Sequence, residues 1–156
     1  MSNKYFPDEE LTYNDLYFVC YMIERTARAL HQHNQYVVEQ IGKEELERQL
    51  SIAQTSHCLN PEQVTADWIE TYQLQSGAFD ITDVNRELAT IIPTPTQMGK
   101  VYARLIMGSM TENENWADAI LRVYRNPLCE TIDNYNSSAF YEPSYIQVAA
   151  LKDGRL

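Results

Sequence analysis

An all-α fold, a single-domain bundle of five or six helices with a C-terminal arm packed across it, is what this sequence predicts. Three observations carry that prediction. Helix-start signatures stand at Asn60-Pro61-Glu62-Gln63, Thr94-Pro95-Thr96-Gln97 and Thr111-Glu112-Asn113-Glu114. Each sets a capping side chain three residues before a Glu or Gln that reaches back to the cap's own amide. Two of them add Pro at the first helical position, where its missing N–H costs nothing. Apolar residues then recur at helical spacing downstream of each start. The composition, 44% hydrophobic and 11% aromatic over 156 residues, is that of one folded globule with a core of its own.

The elements follow in order. Residues 1–11 are expected to form a flexible N-terminus, 12–150 the helical domain with its arm, and 151–156 a loose tail. Thr12 and Asp15 form a capping-box variant that opens the first helix. Leu16, Val19, Cys20, Ile23, Ala27 and Leu30 recur along it, and the pattern continues through Val37 and Ile41 until Gly42 ends it. The polar stretch His31 to Gln35 is a point where it breaks into two pieces. Its apolar stripe, flanked by Tyr13, Tyr17 and Tyr21, is too wide for one seam and calls for two neighbours.

Lys43 to Leu59 reads as the next helix, burying Leu46, Leu50 and Ala53. Asn60 caps another that turns Val64, Trp68, Ile69 and Tyr72 inward and ends at Ser76 and Gly77. Ile81, Val84, Leu88, Ile91 and Ile92 suggest a short helix and then an extended approach to Pro93, because the residue before proline avoids helical angles. Thr94 starts a helix carrying Met98, Val101, Tyr102, Leu105 and Ile106. Thr111 starts one carrying Trp116, Ile120, Val123 and Tyr124, interrupted at Pro127 before Leu128, Ile132 and Tyr135 resume the pattern. Asn134 to Ser138 is a stop. The arm beyond it, with Phe140, Tyr141, Tyr145, Ile146 and Val148, is too apolar to float and reads as a short strand or irregular segment lying on the helices.

Charge restricts the partners. Twenty-two acids against twelve bases leave a formal charge of -10. That argues against direct contact with a phosphate backbone or an anionic membrane surface, both of which recruit clustered Lys and Arg. It permits a basic protein partner. Cys20, Cys58 and Cys129 are widely spaced and form no CxxC pair, so they read as reduced thiols in a cytosolic protein. Met1 to Glu10 has neither a basic n-region nor an apolar h-region, and no run of 18 apolar residues occurs. A cytoplasmic location is expected.

No catalytic constellation is legible. His31 and His33 point to different sides of a helix, as do His57 and Cys58. No His has a Glu three residues before it, and HExxH, GxSxG, Walker A and GxGxxG are all absent. No catalytic residue, cofactor or metal is therefore expected. An enzyme would need a closed pocket with perturbed carboxylates, and none is anticipated. Acidic residues do group along the expected helices: Glu44, Glu45 and Glu47, then Glu62, Asp67 and Glu70, then Glu112, Glu114 and Asp118. Asp80, Asp83 and Glu87 form a further group. Carboxylates one turn apart lie roughly 5–6 Å from each other, near the spacing of phosphates along a strand. Tyr141 and Tyr145 supply rings with polar tips, the residue type that anchors interfaces.

Two segments carry a resemblance. Leu16-Tyr17-Phe18-Val19-Cys20-Tyr21-Met22-Ile23-Glu24, with the Ala-rich turn after it, resembles the opening helix of an uncharacterised family of small helical bacterial proteins. Gly99-Lys100-Val101-Tyr102-Ala103-Arg104-Leu105-Ile106, Ile132-Asp133-Asn134-Tyr135-Asn136-Ser137-Ser138 and Tyr141-Glu142-Pro143-Ser144-Tyr145 look like a longer hypothetical family. Such proteins are often encoded beside ADP-ribosyltransferase-like toxin genes. The resemblance implies a neighbouring partner and an antitoxin-like setting, and it assigns no activity to any residue.

The expected function is a non-enzymatic acidic binding protein that engages and inhibits a more basic partner protein. Its contact residues are Glu44, Glu45, Glu47, Glu62, Asp67, Glu70, Glu112, Glu114 and Asp118, with Tyr141 and Tyr145 as anchors. Two alternatives stand beside it. One is a nucleic-acid mimic that inhibits a DNA- or RNA-binding protein; the other is a helical enzyme with an unrecognised site. No oligomeric state follows from the sequence.

Overall fold

The computed structural model describes residues 3–6 and 8–153. Among them are seven α-helices and one 3-10 turn, and no strand. The helices are α1 (Tyr13–Leu30), α2 (Asn34–Ser56), α3 (Pro61–Thr71), α4 (Pro95–Ser109), α5 (Trp116–Arg125), α6 (Leu128–Ile132) and α7 (Ser144–Asp153). The five or six expected helices become seven because Pro127 separates the short α6 and because the arm itself coils.

Local chemistry fixes the starts. The Thr12 and Asp15 side chains exchange hydrogen bonds with each other's amides, and so do those of Thr94 and Gln97. Asn60 accepts from the Glu62 amide with Pro61 at the first position. Thr111 does not start a helix: it opens a turn, and α5 begins at Trp116 under Asn115, whose side chain accepts from the Asp118 amide. The Glu114 carboxylate is held by both arms of the Arg122 guanidinium at 2.7 and 2.8 Å as well as by the Thr111 backbone.

The long first pattern breaks at His31, which caps α1 in the left-handed region, and resumes in α2. Gly42 ends the helical run as expected: α2 is two helical pieces that meet at a sharp kink there. The Gly42 backbone (φ 77, ψ 170) lies in a region essentially reserved for glycine, and the expected second helix is the distal part of α2. α3 ends earlier than expected, at Thr71, with Gln73 left-handed just beyond it.

α1 is central. It packs on α2, α3 and α4, three neighbours where the stripe called for two, while α5 lies against α2 and α7 against α4. Leu16, Val19, Cys20, Met22 and Ile23 on α1 meet Val37, Val38 and Leu46 of α2 and Met98, Tyr102, Leu105 and Ile106 of α4 in one continuous core. The crossing of α1 and α4 is close because Gly99 faces the Tyr21 backbone.

Two segments depart from expectation. Residues 78–93 form no helix. They run as turns tied to distant backbone, with Gly77 N–H donating to Leu30 O at 2.8 Å and Phe79 N–H to His31 O at 2.9 Å. At the far side the Asn85 N–H donates to Asn136 Oδ1 at 2.7 Å. The arm is helical, not a strand: the Pro143 carbonyl accepts from the Ile146 and Gln147 amides and launches α7. Gln147, Ala150 and Leu151 then turn inward at helical spacing. Gln147 Nε2 donates to Ala139 O at 2.8 Å and Asn126 Nδ2 to Leu151 O at 3.2 Å, which pins the arm across the bundle.

Of the tail expected to be loose, 151–153 complete α7 and 154–156 lie outside the described residues. In the segment expected to be flexible, Met1, Ser2 and Pro7 lie outside them, while Asn3 is buried and donates to Ser51 O at 3.2 Å. No helix among the described residues is long and apolar enough to cross a membrane.

Candidate functional site

A buried polar network crosses the core where α1, α2, α4 and the end of α6 meet. Glu24 and Arg28 lie one turn apart on α1, with side chains 2% and 17% exposed, and their ion pair measures 3.3 Å. Arg28 also donates to Pro93 O at 2.8 Å and to the Tyr135 hydroxyl at 2.9 Å. Asn34, at the start of α2, donates to Glu24 Oε1 at 3.5 Å and to Asp133 Oδ2 at 2.9 Å. The Tyr102 hydroxyl of α4 donates to Asp133 Oδ1 at 2.7 Å. Two carboxylates are thus joined through one amide, and among the described residues only Glu24 has a cation paired with it.

Asp133 stands at the edge of a cavity of about 460 Å³, a size typical of small-ligand sites. This space opposes the expectation that no such pocket exists. Its walls come from three chain segments distant in sequence. His33 and Asn34 come from the α1–α2 junction. Phe79, Asp80, Ile81, Asp83 and Val84 come from the loop that failed to become a helix. Tyr124, Arg125, Cys129, Glu130, Asp133 and Tyr135 come from α5, α6 and the segment after it. His33 and Phe79 stack at 3.7 Å between centroids and 18° between planes, which fastens the loop over the opening. A connection this long without regular structure is unusual in a compact domain, and such loops commonly carry binding sites.

Electrostatics follow from burial. Removal from water pushes the Asp133 carboxyl up to about 8, with the negative charge of Glu24 acting in the same direction. Hydrogen bonds from Tyr102 and Asn34 and the charge of Arg28 act against it. Burial raises Glu24 as well, opposed by Arg28 and Asn34. Burial also raises the thiols of Cys20 and Cys129 to about 12, so neither is a thiolate near neutrality.

A pH dependence results. Asp133 ordinarily titrates near 3.8, so between about pH 4 and pH 8 the folded chain holds a proton that the unfolded chain has lost. Stability falls as pH rises through that window, by at most about 1.4 kcal/mol per unit for one proton. The lowered Glu39 and Glu114 add stability as they ionise, but below about 4.5. Asp133→Asn is expected to flatten the slope of unfolding free energy between pH 5 and pH 8 in urea titrations. An unchanged slope removes Asp133 as its source.

The sequence-predicted contact residues are dispersed, and five of the nine acids are held within the chain. Glu47 pairs with Lys4 at 2.8 Å and accepts from Asn115, Glu45 pairs with Arg48 at 3.5 Å, and Glu62 faces Arg25 at 3.9 Å. Glu114 is clamped by Arg122, and Asp118 pairs with Lys43 at 3.1 Å. Glu44, Asp67, Glu70 and Glu112 are exposed. Tyr141 and Tyr145 are 56% and 73% exposed. Tyr141 packs on Phe140 beside a second cavity of about 340 Å³ between α4 and the arm, which Tyr145 does not line.

Glu24, Asn34, Asp133 and Tyr135 were not legible as a site. Glu24 sits on the buried stripe between Ile23 and Ala27, and an acid there was the available signal. Asp133 reads as an ordinary helix end, which it also is. Among the described residues no three His, Cys, Asp or Glu side chains converge to hold a metal ion. Comparison with family models, with curated proteins and with solved structures finds no match to this chain.

Proposed function

We propose that this chain is a binding protein for a more basic partner protein, and that the cavity beside Asp133 is its recognition point. One observation carries the reading. Among the described residues the cavity presents the carboxylates of Asp80, Asp83 and Glu130 beside the protonated Asp133, while the only Lys or Arg on its wall, Arg125, is neutralised by both oxygens of Glu39. A pocket of that charge inside a chain of net charge -10 attracts cations and repels anions. Holding the partner inactive by occlusion is the antitoxin-like part of the proposal. The nucleic-acid mimic draws less support, because it needs a free array of carboxylates and five of the nine predicted contact acids are paired within the chain.

The test is titration of the labelled protein with a hexalysine peptide. Asp80→Asn/Asp83→Asn/Glu130→Gln should weaken binding about tenfold, equivalent to about 1.4 kcal/mol. Glu44→Gln/Glu70→Gln should change it less than about twofold. Equal losses from the two variants would return recognition to the helix faces.

A second reading, an enzyme with Asp133 as general acid, is favoured by that carboxyl's raised proton affinity in a cavity. It lacks a nucleophile, since Cys129 and Tyr135 are held protonated and Glu24 is tied to Arg28. A covalent mass change in a bound molecule, abolished by Asp133→Asn, would favour it.

A further inference from the structure

We infer that the cavity takes a guanidinium, the head of an arginine side chain on the partner, laid against the Asp133 carboxylate. The inference rests on the basic-partner reading and names the group that enters.

Asp133 has unused capacity on both oxygens. Each carboxylate oxygen offers two lone pairs, and each here receives one neutral donor, Tyr102 on one and Asn34 on the other. Among the described residues no Lys, Arg or His nitrogen lies within 4.0 Å of it. Arg28, the cation nearest in the network, directs its Nε to Glu24 and its Nη2 to Pro93 O and the Tyr135 hydroxyl. One vacant acceptor position on each of two coplanar oxygens is the complement of the guanidinium fork, which donates two parallel N–H groups. A cation arriving there replaces the proton that burial otherwise keeps on the carboxyl.

The walls favour a planar cation over an ammonium. The His33–Phe79 stack and Tyr135 supply ring surface, and Ile81, Val84 and Pro127 supply apolar surface for a three-carbon stem. A guanidinium lies on such surfaces at little desolvation cost, whereas a compact ammonium holds its water more tightly. An anion is disfavoured by Asp80, Asp83 and Glu130 on the same wall.

The experiment titrates the full chain with capped tripeptides Gly-Arg-Gly, Gly-Lys-Gly and Gly-citrulline-Gly, and with agmatine, followed by amide chemical shifts and calorimetry. Expected is an order of affinity Arg, Lys, citrulline, with at least about tenfold between the first and last, and shifts centred on Phe79, Val84 and Asp133. Asp133→Asn should erase the difference between Arg and citrulline, while Glu44→Gln, on a remote helix face, should preserve it. Circular dichroism at the same pH shows that each variant is folded. Arg and citrulline binding equally would overturn the inference, and hexalysine binding that still depended on Asp80, Asp83 and Glu130 would leave the basic-partner reading intact. Absence of any binding by tripeptide and hexalysine would sink both. Agmatine binding more tightly than the Arg tripeptide would overturn the partner side chain as the occupant and assign the cavity to a free guanidine.

Discussion

Arg28→Met should lower the unfolding free energy by about 3–5 kcal/mol, the loss typical when one partner leaves a buried ion pair. Glu24 is the reason. Its side chain is 2% exposed, and Arg28 is the only cation within 4.0 Å of it among the described residues. The same substitution frees Pro93 O and the Tyr135 hydroxyl, each of which loses a charged donor. The measurement is the urea midpoint at constant slope, together with its pH dependence. With Arg28 gone, Glu24 should hold its proton to a higher pH, so the loss should be larger at pH 8 than at pH 5. The double variant Glu24→Leu/Arg28→Met should recover much of the loss, because two apolar side chains leave no charge stranded. A single-variant loss under about 1 kcal/mol would mean that water reaches Glu24.

Gly99→Val should cost about 3 kcal/mol, by a different mechanism. A Cβ at position 99 would stand 2.9 Å from Tyr21 Cα and 3.0 Å from Tyr21 N, both backbone atoms. Side chains rotate away from a clash, but a helix backbone does not, so α1 and α4 must separate along the largest contact in the bundle. Gly99→Ala should cost less, since alanine returns up to about 1 kcal/mol of helix propensity while imposing the same first contact. Thermal unfolding of both variants checks the order. A neutral Gly99→Val would show that α4 does not cross α1 at this point.

The helix starts were readable because a cap satisfies donors within three residues of itself. Thr12, Asn60 and Thr94 need nothing from the rest of the chain to do so. Thr111 shows the limit of that logic. Its signature is as good as the others, but the chain at Thr111 closes only a turn, and the helix starts four residues later under the Asn115 cap. The stretch 78–93 departs for a tertiary reason: its apolar residues are spaced for a helix, yet the Phe79 and Asn85 amides bond to residues 31 and 136. The arm misled because β-branched Ile146 and Val148 suggest extended chain, whereas Gln147, Ala150 and Leu151 are the positions that turn inward.

The grouped acids on the helix faces were readable as charge but not as contacts, since the pairing of Glu47 with Lys4 and of Asp118 with Lys43 depends on which distant segments lie beside one another. Sequence by itself determined the all-α class, most helix starts and most of the core, because caps and apolar periodicity are local properties. Tertiary structure alone decided the cavity. Glu24, Asn34 and Asp133 are far apart along the chain, and a carboxylate raises its proton affinity only when folding removes its water and leaves it no counter-ion.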